Sequence, residues 1–80
     1  MIIAAKQCIG ARAMLGWSRD MLSKAALVAE RTLIDFERGA RQPRERTLTD
    51  IRRALEDAGI IFIDENGGGP GVRLKEPLTK

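Results

Sequence analysis

The chain has no histidine, no tyrosine, one cysteine and only 4% aromatic residues in 80 positions. Each scarcity excludes something. With Cys8 as the lone thiol and no imidazole at all, a zinc site lacks ligands and an intramolecular disulfide cannot close. Catalysis lacks its usual acids, bases and nucleophiles, because Cys8 falls on an apolar stripe and no two carboxylates share an apolar pocket. No enzyme activity, no cofactor and no metal are therefore expected. No stretch approaches the roughly 20 apolar residues needed to span a bilayer, and the apolar run in MIIAAKQCIGARAM is too short for a signal peptide. A reducing cytoplasm is the expected compartment. Few aromatics leave Leu, Ile, Val and Ala to build one modest core, and the length suits a single small domain.

What is present is helical spacing. Ala4, Cys8, Ala11 and Leu15 recur in steps that put them on one face, and Gly16 ends that helix. Ser18 is a good N-cap and Asp20 a favourable charge for a second helix from about Ser18 to Ala26, burying Leu22, Ala25 and Met21. A third helix follows after a gap that admits only a tight turn, with Val28, Leu33 and Phe36 inward and Gly39 as its stop. Two short helices joined so closely cross steeply, in helix-turn-helix geometry. Pro43 and dense charge make Ala40 to Arg46 a loop. Thr47 and Asp50 read as a T-x-x-D capping box opening a fourth helix that runs to Ala58, buries Leu48, Ile51, Ala54 and Leu55, and stops at Gly59. From Ile60 the pattern becomes β: strands Ile60 to Ile63 and Val72 to Leu74 flank a glycine-rich turn. GGGPG lacks the G-K-[ST] and following helix of a phosphate loop. Trp17, beside Leu15 and Leu22, reads as a core plug.

A net charge of +3 and a sequence pI near 9.6 favour an anionic partner. Arg38, Arg41, Arg44 and Arg46 cluster with Glu45 as the only acid among them.

The segment Ser18 to Gly39 resembles the Cro/CI-type helix-turn-helix regulators, the XRE family, through Trp17-Ser18, Leu22, Ala26, Val28, Thr32-Leu33 and Phe36-Glu37-Arg38-Gly39. The resemblance covers about residues 9 to 58. It implies a mainly α, lambda-repressor-like helix-turn-helix bundle of four helices with a C-terminal β-hairpin, and a sequence-specific DNA-binding regulator. Its third helix, about 29–38, would enter the major groove of double-stranded DNA. Position by position, the resemblance points Glu30, Arg31 and Asp35 at base edges; Arg19, Thr32, Arg38, Arg41 and Arg44 are assigned to phosphates, and Arg12 with Glu37 to a structural pair. Arginine can bond guanine through two acceptors and a carboxylate can accept from the cytosine amino group, so an acidic reading helix is selective rather than excluded. Asp35 has the rival option of pairing locally with Arg31 or Arg38.

The chain departs from the family at three places. Leu27 stands where the turn usually has Gly in positive φ, so strain or a rearranged turn is expected. Ala29 replaces the usual Ser or Thr N-cap of the third helix, and Arg19 replaces a polar Gln. A second reading follows from the first two: a protein-interaction module, antitoxin-like, whose DNA site has degenerated. Residues 1–59 form the expected DNA-binding domain, 60–75 a hairpin extension of it and 76–80 a disordered tail. Two strands alone are marginal, so the hairpin must lie on the helices or pair with a second copy, and a homodimer through the 60–74 strands is the expected assembly.

Overall fold

The computed structural model describes residues 2–76. Four helices precede a two-stranded antiparallel hairpin: α1 Ala5–Leu15, α2 Arg19–Ala26, α3 Glu30–Glu37, α4 Glu45–Asp57, β1 Ile60–Ile63 and β2 Gly71–Leu74. This is the lambda-repressor-like architecture. The expected tail falls at residues 76–80, of which 77–80 lie outside the described residues.

The helices stop where backbone chemistry says they should. Gly16 closes α1 at φ 71°, and Gly39 and Gly59 follow α3 and α4 at φ 77° and 109°, a region that costs glycine little. Ser18 caps α2 by accepting from the Met21 amide at 3.1 Å.

One core gathers Cys8 and Ala11 of α1, Leu22 and Ala26 of α2, Leu33 and Phe36 of α3, and Leu48, Ile51, Ala54 and Leu55 of α4. Ile60 and Phe62 of β1 belong to it too, as does Ile3 ahead of α1. Trp17 is half-buried against this core. The hairpin thus lies on the chain's own helices, with Ile60 opposite Leu74 and Phe62 opposite Val72 on the inward face.

Gln7, which carries no apolar signal, is buried and joins the two parts of the fold. Its Oε1 accepts from the Ala4 amide at 2.7 Å, while Nε2 donates to the carbonyls of Ile63 and Gly71 at 3.2 and 3.0 Å. The side chain bridges the two strands at the loop end of the hairpin and ties them to α1.

Two expectations need correction. Met21 and Ala25 are exposed; Ala26 is buried instead, because it lies one turn after Leu22 on the same face while Met21 and Ala25 are rotated toward solvent. The Thr47–Asp50 capping box does not form, since α4 begins at Glu45 and Thr47 is inside it. Arg44 is the N-cap and supplies no side-chain bond. Pro43 precedes this start, and Glu45 in the first turn puts a carboxylate at the positive end of the helix dipole.

Candidate nucleic-acid interface

The turn between α2 and α3 is built around Leu27, which sits at φ 59°, ψ 45°. A leucine in this left-handed region costs about 1–2 kcal/mol that glycine would avoid. Ser23 holds the turn on both sides of the next residue: its carbonyl accepts from the Val28 amide at 3.1 Å, and its hydroxyl donates to the Val28 carbonyl at 2.5 Å. The turn therefore keeps a positive φ at Leu27, with the strain in place. Leu27 itself is 90% exposed. Ala29 begins α3 without a side-chain cap.

Beyond the turn, α3 buries Leu33, Phe36 and Glu37 and turns Glu30, Arg31 and Arg38 to solvent, with Thr32 and Asp35 half-buried. Arg31 Nε lies 3.7 Å from Asp35 Oδ2, and Arg38 Nη1 lies 3.9 Å from Asp35 Oδ1. At those distances and exposures such pairs contribute little stability, and they leave both guanidinium groups able to turn to a ligand.

The loop after α3 folds back onto this face. The Asp35 carbonyl accepts from the Ala40 and Arg41 amides at 2.9 and 3.3 Å, which anchors the loop to the helix end. A cleft of about 450 Å³ results, lined by Arg31, Thr32 and Asp35 from α3 and by Arg41, Gln42, Pro43, Arg44 and Thr47 from the loop and the start of α4. Three arginines and one acid line it, a net positive charge of the kind that attracts phosphate. Arg31, Thr32, Asp35, Arg41 and Arg44 are thus brought together, with Arg38 reaching Asp35 from the helix end. Glu30 is exposed on the first turn of α3, outside the cleft.

Behind the exposed face of α3 lies a charged network that fixes the helix. Glu37 Oε2 accepts from Arg12 Nε at 2.8 Å and from the Cys8 thiol at 3.2 Å, while Oε1 accepts from Arg12 Nη2 at 2.8 Å and Arg19 Nε at 2.9 Å. Arg12 Nη1 donates to the Trp17 carbonyl at 2.9 Å. One carboxylate thereby holds α1, the start of α2 and the end of α3 in register. Burial alone would push the Glu37 carboxyl up, but hydrogen bonds from Arg12, Arg19 and Cys8 outweigh it and hold the group below its ordinary range. The Arg12 guanidinium is raised, chiefly by its bonds to Glu37. Burial, and the bond to Glu37, push the Cys8 thiol up and keep it protonated as a donor.

Arg19 therefore has a partner that its sequence position does not announce. Its side chain is 41% exposed, so one edge of the guanidinium holds Glu37 while the rest faces solvent. Cys8 reads from the sequence as a small hydrophobe, and nothing in its spacing marks it as a donor to residue 37.

Among the described residues no helix is long and apolar enough to cross a membrane, and no cluster of Asp, Glu and Cys could hold a metal. A family model described as helix-turn-helix matches residues 11–56, more than half of the chain, from within α1 to the last turn of α4. No curated protein matches the chain.

Proposed function

The chain belongs to the helix-turn-helix family of Cro/CI-type (XRE) DNA-binding proteins, and from that premise we propose that it is a sequence-specific transcriptional regulator that inserts α3 into the major groove. In this reading Glu30, Arg31 and Asp35 face base edges, while Thr32, Arg38, Arg41, Arg44 and the free edge of Arg19 meet phosphates. The observation that carries it is the gathering of Arg31, Arg41 and Arg44 around the exposed side of α3. An acidic reading helix suffers repulsion from the backbone of DNA; here the flanking guanidinium groups offset it, and Asp35 lies between Arg31 and Arg38 rather than alone.

A homodimer would place two copies of α3 about 34 Å apart along one face of the duplex. Pairing of the 60–74 strands across a twofold axis would rest on backbone groups, Ile61 and Ile63, since Ile60 and Phe62 are buried in the protomer's own core. The rival interaction-module reading draws on Leu27 and Ala29, but the convergence of arginines beside α3 favours DNA.

Selection of bound fragments from a genomic library followed by gel shifts at several salt concentrations tests the proposal. Each phosphate contact contributes roughly −0.9 to the slope of log affinity against log salt. Arg31→Ala is expected to relax preference at one base pair by about 1–3 kcal/mol, whereas Arg41→Ala weakens all sequences alike and flattens the salt slope. Equal loss of discrimination from the two variants would refute the division of roles, and no shift with any fragment at low salt would refute DNA reading itself.

A further inference from the structure

Away from the DNA-facing cleft, a second groove of about 310 Å³ runs between the end of α2 and the outer side of α4. Four charged residues of α4 line it in the order Arg46, Asp50, Arg53, Asp57. Steps of four, three and four put them on one stripe. The signs alternate, and the spacing is symmetric about the midpoint of the stripe. Laid antiparallel against a copy of itself, the stripe brings Arg46 opposite Asp57 of the partner subunit and Asp50 opposite Arg53 of the partner subunit, and the same pairs recur on the other side of the axis. Every contact joins opposite charges, and the outer pairs stand about 16 Å apart at 1.5 Å of rise per residue.

Two features show that the stripe is unspent within the protomer. Among the described residues none of these four side chains has an ion-pair partner within 4.0 Å, although Asp20–Lys24 and Arg52–Glu56 close at the same i, i+4 spacing at 3.2 and 2.8 Å. Beside the stripe stands Leu27, also lining the groove, in a backbone conformation that a glycine would hold without strain and with its side chain 90% exposed. That side chain does nothing for its own fold. The small residues Ala25 and Ala54 on the same groove let a second helix approach closely.

We propose that this α2–α4 groove is the self-association surface of the protein, taking the same groove of a second copy with the two α4 helices antiparallel and Leu27 covered at the contact. The surface rests on the homodimer of the proposed function and replaces the 60–74 strands as its contact. It is isologous, as a twofold interface requires, and its charges also reject a parallel arrangement in which like residues would meet.

Sedimentation of the full chain without DNA tests it through two complementary variants. One carries Arg46→Asp with Arg53→Asp and presents only acids; the other carries Asp50→Arg with Asp57→Arg and presents only bases. Each alone is expected to self-associate at least about tenfold more weakly than the parent, and an equimolar mixture to recover a heterodimer within about threefold of it. Leu27→Gly is expected to weaken the dimer by about tenfold while raising the melting temperature of the dilute monomer, a pair of opposite signs that a folding defect cannot produce. Circular dichroism checks that each variant stays helical. If both charge variants dimerise like the parent, the interface lies elsewhere and the surface is wrong while the homodimer stands. A parent chain that stays monomeric into the high micromolar range overturns the homodimer and this surface together, leaving DNA reading by the gel shift intact.

Discussion

Glu37→Ala removes the one carboxylate on which four hydrogen bonds converge, three from guanidinium groups and one from the Cys8 thiol. Its side chain is 1% exposed and that of Arg12 16%, so the substitution strands a nearly buried cation. Breaking a buried pair from one side costs about 3–5 kcal/mol. The remaining exposure of Arg12, and its bond to the Trp17 carbonyl, place the loss toward the lower end, while Arg19, 41% exposed, can turn to water and adds little. A domain of this length has about 4–12 kcal/mol of stability in total. A loss of about 3 kcal/mol then lowers the melting temperature by about 12–24 °C. Urea unfolding is conveniently followed through Trp17, the only tryptophan and itself part of the network through its carbonyl. Arg12→Ala and the double variant complete a cycle: if the two groups act as one unit, the double variant loses little more than either single one. A loss below about 1 kcal/mol for Glu37→Ala, or single losses that simply add, would refute the claim that this buried pair holds α3 against α1.

Three other outcomes follow from the same structure. Because the folded Glu37 carboxyl lies below its ordinary value of 4.5, its contribution is fully present above that pH and is lost as pH falls through the folded value; parent stability measured from neutral pH downward should show that acid loss and Glu37→Gln should lack it. Ala29→Ser supplies the missing N-cap of α3 and should stabilise the fold by about 0.5–2 kcal/mol, read as a raised urea midpoint, and an unchanged midpoint would mean that the first amides of α3 gain nothing from a side-chain acceptor. Gln7→Ala leaves the carbonyls of Ile63 and Gly71 without their donor and should cost about 1–3 kcal/mol, with amide exchange accelerating in β1 and β2 before the helices; uniform acceleration would count against a local tie.

Much of the fold was legible because its signals are local. The glycines after α1, α3 and α4, the Ser18 cap and the stripe from Leu48 to Leu55 act within a turn or two of chain, where steric and hydrogen-bonding rules operate without reference to distant residues. The same locality explains the misreadings. T-x-x-D at Thr47 satisfies the capping pattern, yet Arg44 and Glu45 offer an earlier start after Pro43, and the chain takes it. Met21 and Ala25 differ from Leu22 and Ala26 by one residue of register, which only the packing of α2 against its neighbours decides.

The candidate site divides along the same line. Arg31, Asp35, Arg41 and Arg44 could be assigned by residue type and by resemblance, but that they face one cleft depends on the Asp35 carbonyl accepting two loop amides and turning the chain back. The double engagement of Glu37 by Arg12 and Arg19, across separations of 25 and 18 residues, is likewise a matter of distance in space. The sequence by itself determined the helices, the glycine stops of three of them, the alternation of the hairpin and the positive charge, because propensity, periodicity and formal charge are properties of neighbours along the chain. Which guanidinium lies on which carboxylate, which polar side chain is buried and which leucine is left bare were decided only by tertiary structure. Those outcomes depend on desolvation and on contacts between residues remote in sequence, and neither exists until the helices have packed.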